Sequence, residues 1–114
     1  MFQFQRGAAG ASKWGFADLC HSAGAPDAAG DPACYVRSDQ TNSVVYRGAN
    51  NLIYELYVSA GVSWDYNELS LISGAPYALG DPVGYAGSDG RNSVVYRGAD
   101  DHIYELLWDK GSVV

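Results

Sequence analysis

The hydrophobic residues of this chain fall in short runs that are separated by turn-forming residues. The segment from Val44 to Leu56 predicts a hairpin, because valine, isoleucine and tyrosine favour strands and Gly48–Asn51 can form a short loop. A short strand is predicted around Tyr35, and a fourth strand begins at Trp64 and runs towards Ser70. No window has a convincing helical period, so the pattern predicts an all-β chain.

The same pattern occurs twice, at an offset of 50 residues and without a gap. The run NSVVYRGA at 42–49 is repeated without change at 92–99, and Trp14 aligns with Trp64. About half of the aligned positions are identical, a level that chance does not give. The chain is therefore divided into three parts, an N-terminal strand segment at 1–13, a first repeat at 14–63 and a second repeat at 64–114.

Four short antiparallel strands in each repeat are typical of a β-propeller blade. The predicted fold is therefore an all-β propeller domain with two four-stranded blades per chain. Propellers have roughly 4 to 8 blades, and each blade needs a neighbour on both sides, so two blades cannot close a ring. We therefore expect head-to-tail oligomerisation to close the ring, with three chains giving six blades or four chains giving eight.

The phase of the repeat indicates how such a ring closes. The chain begins with the Trp14 strand, which lacks three preceding strands, and ends with strands around Tyr85, Val95 and Tyr104, which lack a fourth. The N-terminal segment of one chain is therefore predicted to complete the last blade of the next, and the alternating residues 2–5 can add a further strand. The alternative is a two-blade fragment of a longer propeller.

The composition restricts the partners of the protein. Its 114 residues include 13 acidic and 7 basic side chains, which gives a formal net charge of −6. Such a surface argues against nucleic acid as a partner, because phosphate binding needs clustered lysine and arginine, and against anionic membranes. No apolar run approaches the roughly 18 residues that span a bilayer, and the first residues are not typical of a signal peptide. Membrane insertion is therefore not expected, and the localisation stays open, with extracellular action among the alternatives.

The sequence does not indicate a cofactor, a metal site or an enzyme. The two cysteines and two histidines lack the spacing of metal ligands. The acidic residues repeat twofold, which suits multivalent binding, whereas catalysis needs one asymmetric set of different residues. Cys20 and Cys34 flank one connector, and both a disulfide and two reduced core residues are open alternatives.

The run VVYRGADDHIYELLW at 94–108 resembles blades of the bacterial lectins of the Photorhabdus type and of the fungal and bacterial fucose-binding propeller lectins. The resemblance covers the hairpin of each repeat, about a third of the unit. It implies a multivalent lectin that binds glycans, fucosylated ones among them, in clefts between propeller blades. One bacterial branch of these lectins builds a six-bladed ring from three two-blade chains, which is similar to the ring expected here.

In those fucose-binding lectins an arginine, a glutamate and tryptophans hold the sugar. The resemblance places the glutamate at Glu55 and Glu105 and one tryptophan at Trp108, where the first repeat has Val58. At the arginine position of the family, both repeats of this chain have valine. The resemblance therefore carries over the glutamates and one tryptophan, but not the arginine.

Each repeat has its own arginine three residues later. In a tight hairpin Arg47 and Glu55 fall on one face as diagonal neighbours, with Val45 opposite Glu55, and Arg97 and Glu105 repeat this arrangement. Such a pair can offer hydrogen-bond donors and an acceptor to sugar hydroxyls beside an aromatic face. Alternatively, it can be a structural ion pair that joins the hairpin or the blade interface.

The tryptophans fall into two groups. Trp14 and Trp64 open the fourth strand and are expected mainly in the core, whereas Trp108 occurs in one repeat only, so we assign it to a ligand. The sequence thus predicts six sugar-binding residues: Arg47, Glu55, Trp64, Arg97, Glu105 and Trp108. The alternative function is a structural or protein-binding propeller scaffold, natural or engineered, in which these residues only pack. An open cleft that brings them together favours the lectin, and their burial between blades favours the scaffold.

Overall fold

The computed structural model describes residues 14–59 and 62–109, and this part of the chain is mostly β. It contains two antiparallel sheets, one of four strands and one of three, and neither of these sheets closes on itself. The first sheet consists of β1 (Ala33–Val36), β2 (Asn42–Arg47), β3 (Ile53–Val58) and β4 (Asp65–Glu68). The second sheet consists of β5 (Val83–Ala86), β6 (Arg91–Arg97) and β7 (Ile103–Asp109).

In both sheets the strands pair in the order in which they follow one another along the chain. The short strands predicted around Tyr35 and Tyr85 are confirmed as β1 and β5. The register of the first hairpin is also confirmed, because Val45 lies opposite Glu55 in the pairing of β2 with β3. The pairing of β6 with β7 repeats this register at an offset of 50 residues.

The hairpin loops are tight for two local reasons. Asn51 and Asp101 have φ angles of 67° and 70°, a left-handed conformation that short polar side chains tolerate. Gly48 lies beside the Tyr54 ring, where an added Cβ would be 2.6 Å from the ring, and Gly98 repeats this close approach. The glycine of the repeated RGA motif therefore lets a tyrosine of the following strand pack against the loop.

Two short α-helices, which the sequence pattern did not predict, precede the sheets. They are α1 (Leu19–Ala23) and α2 (Leu69–Ser73), and each is capped by a left-handed glycine. The prediction of a strand from Trp64 to Ser70 is therefore wrong at its end, because β4 stops at Glu68 and α2 follows at once. Five residues make little more than one helical turn, which is too short for a 3.6-residue period to be visible.

Residues 14–18 do not behave like the fourth strand whose sequence they repeat. They belong to neither sheet, and the side chains of Trp14 and Phe16 are fully exposed. Trp64 is half-buried and packs against a cluster that contains Tyr54. The prediction that Trp14 is a core residue is therefore wrong for the single chain, because its side chain is fully exposed. The predicted segment at 1–13 lies outside the described residues.

The main core lies between the two sheets, which stack with opposite faces in contact. The first sheet contributes its odd-numbered face, with Val45 and Ile53, and the second sheet its even-numbered face, with Val94 and Leu106. The even-numbered face of the first sheet forms a second cluster of Tyr46, Tyr54 and Leu56, against which α1 packs. The first sheet therefore has the second sheet on one face and α1 on the other.

The connector after α2 joins the two sheets through its backbone. The backbone N–H of Ala78 donates to the carbonyl of Asn51 in the first sheet, and that of Leu79 donates to the carbonyl of Arg97 in the second, both at 2.8 Å. Ala78 is 2% exposed, so the connector forms part of the core. The connector thereby fixes how the second sheet sits against the first.

Candidate functional site

A cleft of about 280 Å³ lies where the two sheets meet beside α2. Its polar lining includes Arg37, Glu55, Asn67 and Asn92, and its apolar lining includes Leu69 and Trp108. Residues of both repeats therefore face one space, although they are far apart in the sequence. The structure therefore has a cleft between its two sheets within one chain.

Glu55 is the fixed acceptor of the cleft. It lies in the middle of β3 and is 4% exposed. Its carboxylate accepts hydrogen bonds from the Ser43 hydroxyl at 2.6 Å and from the Asn67 amide at 3.1 Å, and it lies 3.5 Å from Nη1 of Arg37. A carboxylate held by three partners on two neighbouring strands and a turn keeps one orientation.

Arg37 follows β1 and links the two repeats. Its Nη2 atom lies 2.8 Å from the Asp39 carboxylate. Its guanidinium carbon lies 4.5 Å from the ring centroid of Trp108 and 5.5 Å from that of Tyr57. The contact with Trp108 is a cation–π interaction, which orients the indole of the second repeat against the first.

The charge of Arg37 is balanced inside the cleft. Burial raises the pKa of Asp39, but hydrogen bonds from Thr41 and Arg37 outweigh it and hold that pKa below its usual value. With the Asp39 and Glu55 carboxylates both beside Arg37, the cleft has no spare positive charge for an anion. Its polar groups suit a neutral ligand with several hydroxyls, which can both donate and accept hydrogen bonds.

Tyr35 also lines the cleft. An added Cβ on Gly84 would lie 2.4 Å from the Tyr35 ring, so the glycine of β5 allows the two sheets to meet there. Burial, and after it the neighbouring Glu55 carboxylate, raise the pKa of Tyr35 to about 12. The phenol is therefore held in its neutral form.

This pKa predicts a loss of stability at alkaline pH. The folded state favours the neutral phenol, so its contribution is complete below the ordinary pKa of 10.0 and is lost as the pH rises to about 12. We expect a decrease of less than about 1.4 kcal/mol per pH unit, because Tyr35 is half-buried and solvent screens the effect. Urea unfolding across this range measures it, and Tyr35→Phe should lessen the decrease. A decrease that is unchanged in Tyr35→Phe would show that another group causes it.

The arginines predicted for the site lie elsewhere. Nε of Arg47 is 3.4 Å from the Asp81 carboxylate of the second repeat, and Nη1 of Arg97 is 2.9 Å from Asp101 in its own hairpin loop. The predicted contact of Arg47 with Glu55 is therefore replaced by other pairs, although the two residues share a face. Both arginines point towards the loop end of the hairpin, where nearer carboxylates are available.

The remaining predicted residues divide between the cleft and other surfaces. Glu55 and Trp108 line the cleft, and Trp108 is 44% exposed. Trp64 packs in the cluster on the other face of the first sheet. Glu105 is exposed and accepts hydrogen bonds from the Ser93 hydroxyl at 2.8 Å and the Tyr85 hydroxyl at 3.4 Å. The structure thus brings together two of the six predicted residues.

The polar residues of the cleft that were missed include Arg37, Asn67 and Asn92. A signal for Arg37 was present, because the second repeat has Gly87 at the same position. Five of the six predicted residues have the same residue at the equivalent position of the other repeat. Here, however, a residue specific to the first repeat contacts Trp108, which is specific to the second.

Both cysteines are free, so the disulfide alternative is excluded for this structure. Cys20 is partly buried with its Sγ atom 3.5 Å from the Pro26 carbonyl, and Cys34 is exposed on β1. Among residues 14–59 and 62–109, no group of three or more histidine, cysteine, aspartate or glutamate side chains could hold a metal ion. None of the helices in these ranges is long and apolar enough to cross a membrane.

Comparison with protein-family models and with curated proteins gave no match for this chain.

Proposed function

We propose that this protein is a multivalent carbohydrate-binding protein, a lectin, whose sugar sites lie in clefts between the sheets of an oligomeric β-propeller. The observation that carries the proposal is the cleft in which Arg37, Glu55 and Asn67 stand beside the partly exposed indole of Trp108. Fixed donors and acceptors next to an aromatic surface match a sugar ring, which presents hydroxyls at its edge and C–H groups on its face.

The oligomeric ring is supported by a difference in exposure between equivalent residues. Ile53 is 0% exposed beneath the second repeat, whereas Ile103, at the same position of the second sheet, is 71% exposed. The odd-numbered face of the second sheet thus presents the surface that the first sheet buries. A second copy offers a sheet that fits this face, because the first repeat of that copy shares about half of its residues with the second repeat.

Residues 14–18 support the same assembly. They repeat the sequence positions of β4, yet they lie outside both sheets with Trp14 and Phe16 fully exposed. The pairing of β3 with β4, shifted by 50 residues, places Phe16 of one copy opposite Leu106 of another. We propose a ring of three or four chains that closes through this strand, with the first sheet of each chain stacked on the second sheet of the next.

The expected ligands are neutral glycans, with fucosylated ones among them. The resemblance to fucose-binding lectins suggests fucose, and the charge balance of Arg37 with Asp39 and Glu55 disfavours acidic sugars. Each site would be weak alone, and several copies on one ring would bind a glycan-covered surface together.

A structural or protein-binding scaffold is the second candidate, and one observation favours it. The ion pair of Arg47 with Asp81 joins the two repeats, and Glu55 is almost completely buried. Recurring polar residues therefore contribute to packing in this molecule. A scaffold of this kind would form the same ring but would bind no glycan.

A glycan array with the intact oligomer tests the proposed function. We expect binding to neutral glycans that Trp108→Val reduces about tenfold per site, with a larger loss on a multivalent surface. Valine is the residue that the first repeat has at this position, so the oligomer should keep its mass.

The matched control is Tyr77→Asp, which introduces the residue that the first repeat has at position 27. The Tyr77 side chain is 63% exposed in the chain that contains both sheets, and it does not line the cleft. Glycan binding should therefore persist in this variant. No signal on any glycan, from an oligomer of confirmed mass, would refute the lectin and leave the scaffold.

A further inference from the structure

We infer that the ring contains two kinds of cleft in alternation, and that only the cleft within each chain is a complete sugar site. This inference rests on the proposed function. In a head-to-tail ring one cleft lies between the first and second sheets of a chain, and the next lies between the second sheet of that chain and the first sheet of its neighbour. The sequence offset of 50 residues gives the composition of the second kind of cleft.

The cleft between chains lacks the central contact of the cleft within a chain. Gly87 stands at the position of Arg37, and Val58 of the neighbouring chain stands at the position of Trp108. Arg37 and Trp108 touch each other, with the guanidinium carbon 4.5 Å from the ring centroid. The repeats therefore differ at both members of one contact, so the cleft between chains lacks both the guanidinium of Arg37 and the indole of Trp108.

The hydrogen-bond network around the glutamate is also smaller between chains. Glu55 is held by Ser43, Asn67 and Arg37, whereas Glu105 retains Ser93 as the equivalent of Ser43. The counterpart of Asn67 is an alanine at position 17, which has no polar side chain. The carboxylate between chains therefore keeps its place but loses both nitrogen donors.

The loss of these groups changes what the two clefts can bind. The cleft within the chain offers a guanidinium, a carboxylate, two amides and an indole. The cleft between chains retains a carboxylate and an amide, since Asn42 aligns with Asn92, and it has a phenol where Tyr57 aligns with Leu107. A ring of three or four chains would then present three or four sugar sites, one per chain, instead of six or eight. With half as many sites, neighbouring sites would be twice as far apart in angle around the ring. Such a ring would favour surfaces on which the glycans are more widely spaced.

The number of sugars bound per chain tests this inference. The probes are methyl α-L-fucoside, methyl α-D-mannoside and methyl β-D-galactoside, titrated into the intact oligomer and counted by native mass spectrometry. We expect a binding probe to saturate at one molecule per chain. Saturation at two per chain would overturn the inference and leave the proposed lectin intact, whereas no binding of any probe together with a silent glycan array would refute the lectin itself.

Variants that exchange residues between the two clefts provide a second test, because they should change the number of sugars bound per chain in opposite directions. Arg37→Gly with Trp108→Val gives the cleft within the chain the residues of the other repeat, and we expect the count to fall to zero. Gly87→Arg with Val58→Trp should raise it to two per chain. An added Cβ at Gly87 meets the Asp89 carboxylate at 2.9 Å, which is the end of a flexible side chain. In the first repeat the equivalent Asp39 lies beside Arg37 and pairs with it.

The four substitutions combined should move the site into the cleft between chains and restore one sugar per chain. Unchanged native mass shows that each variant still assembles. Retained binding in the Arg37→Gly, Trp108→Val variant would show that the sugar binds elsewhere, and this result would also overturn the inference.

Discussion

Replacement of Ile103 by glutamate is expected to dissociate the oligomer into single chains. Ile103 is 71% exposed in one chain, and its equivalent Ile53 is completely buried. In the proposed ring Ile103 is covered by the neighbouring chain, which contributes about 2 kcal/mol of apolar burial at each interface. A carboxylate at this position adds an uncompensated buried charge, which costs several kcal/mol more. Because every interface of the ring carries the substitution, assembly should be lost at micromolar chain concentrations.

Light scattering of Ile103→Glu beside Leu79→Ala measures this effect. Leu79 is 50% exposed and stands where the first repeat has an alanine at position 29, so its replacement should leave the mass of the oligomer unchanged. Far-ultraviolet circular dichroism shows whether the dissociated chain keeps its sheets. An Ile103→Glu variant with the mass of the wild-type oligomer would contradict the proposed interface.

Replacement of Glu55 by alanine is expected to lower the free energy of unfolding by about 3–5 kcal/mol. The side chain is buried and accepts hydrogen bonds from Ser43 and Asn67 while it pairs with Arg37. Its removal leaves the Arg37 guanidinium, which is 12% exposed, with Asp39 as its remaining carboxylate. Part of the loss is therefore the cost of buried donors that have no acceptor.

The second repeat supplies the matched control for this substitution. Glu105 occupies the equivalent position and accepts hydrogen bonds from the hydroxyls of Ser93 and Tyr85. The second repeat has Gly87 in place of Arg37, so the removal of Glu105 leaves no guanidinium of that position without its carboxylate. Glu105→Ala should cost about 1 kcal/mol. Urea unfolding of both variants at equal chain concentration gives the comparison. Equal losses in the two repeats would contradict the assignment of Glu55 as the centre of a buried network.

The hairpins were predictable because their information is local. Repeated valine, tyrosine and isoleucine positions define β2 and β3, and the short loop between them fixes which residues lie opposite each other. The same register then holds for β6 and β7 through the repeat. The helices α1 and α2 were not predictable, since five residues carry no readable period and their caps are glycines that suit loops equally well.

The site was predicted only in part. The register of two paired strands determines which side chains share a face of the sheet, but it does not determine which side chains touch each other. Arg47 and Glu55 share a face, yet the long arginine side chain reaches Asp81, which the connector brings from the second repeat. Arg37 was missed because it belongs to a turn whose position against Trp108 depends on the stacking of the two sheets. Such stacking is set by the core between the repeats, and hairpin patterns do not describe it.

The central claim is that two-sheet chains associate head to tail into a closed ring, and the mass of the native protein tests it most directly. Light scattering over a range of concentrations should give three or four times the 12.2 kDa of one chain, with no larger species growing in, because a closed ring leaves no free interface. A mass of one chain at all concentrations would contradict the ring and the multivalent binding that depends on it.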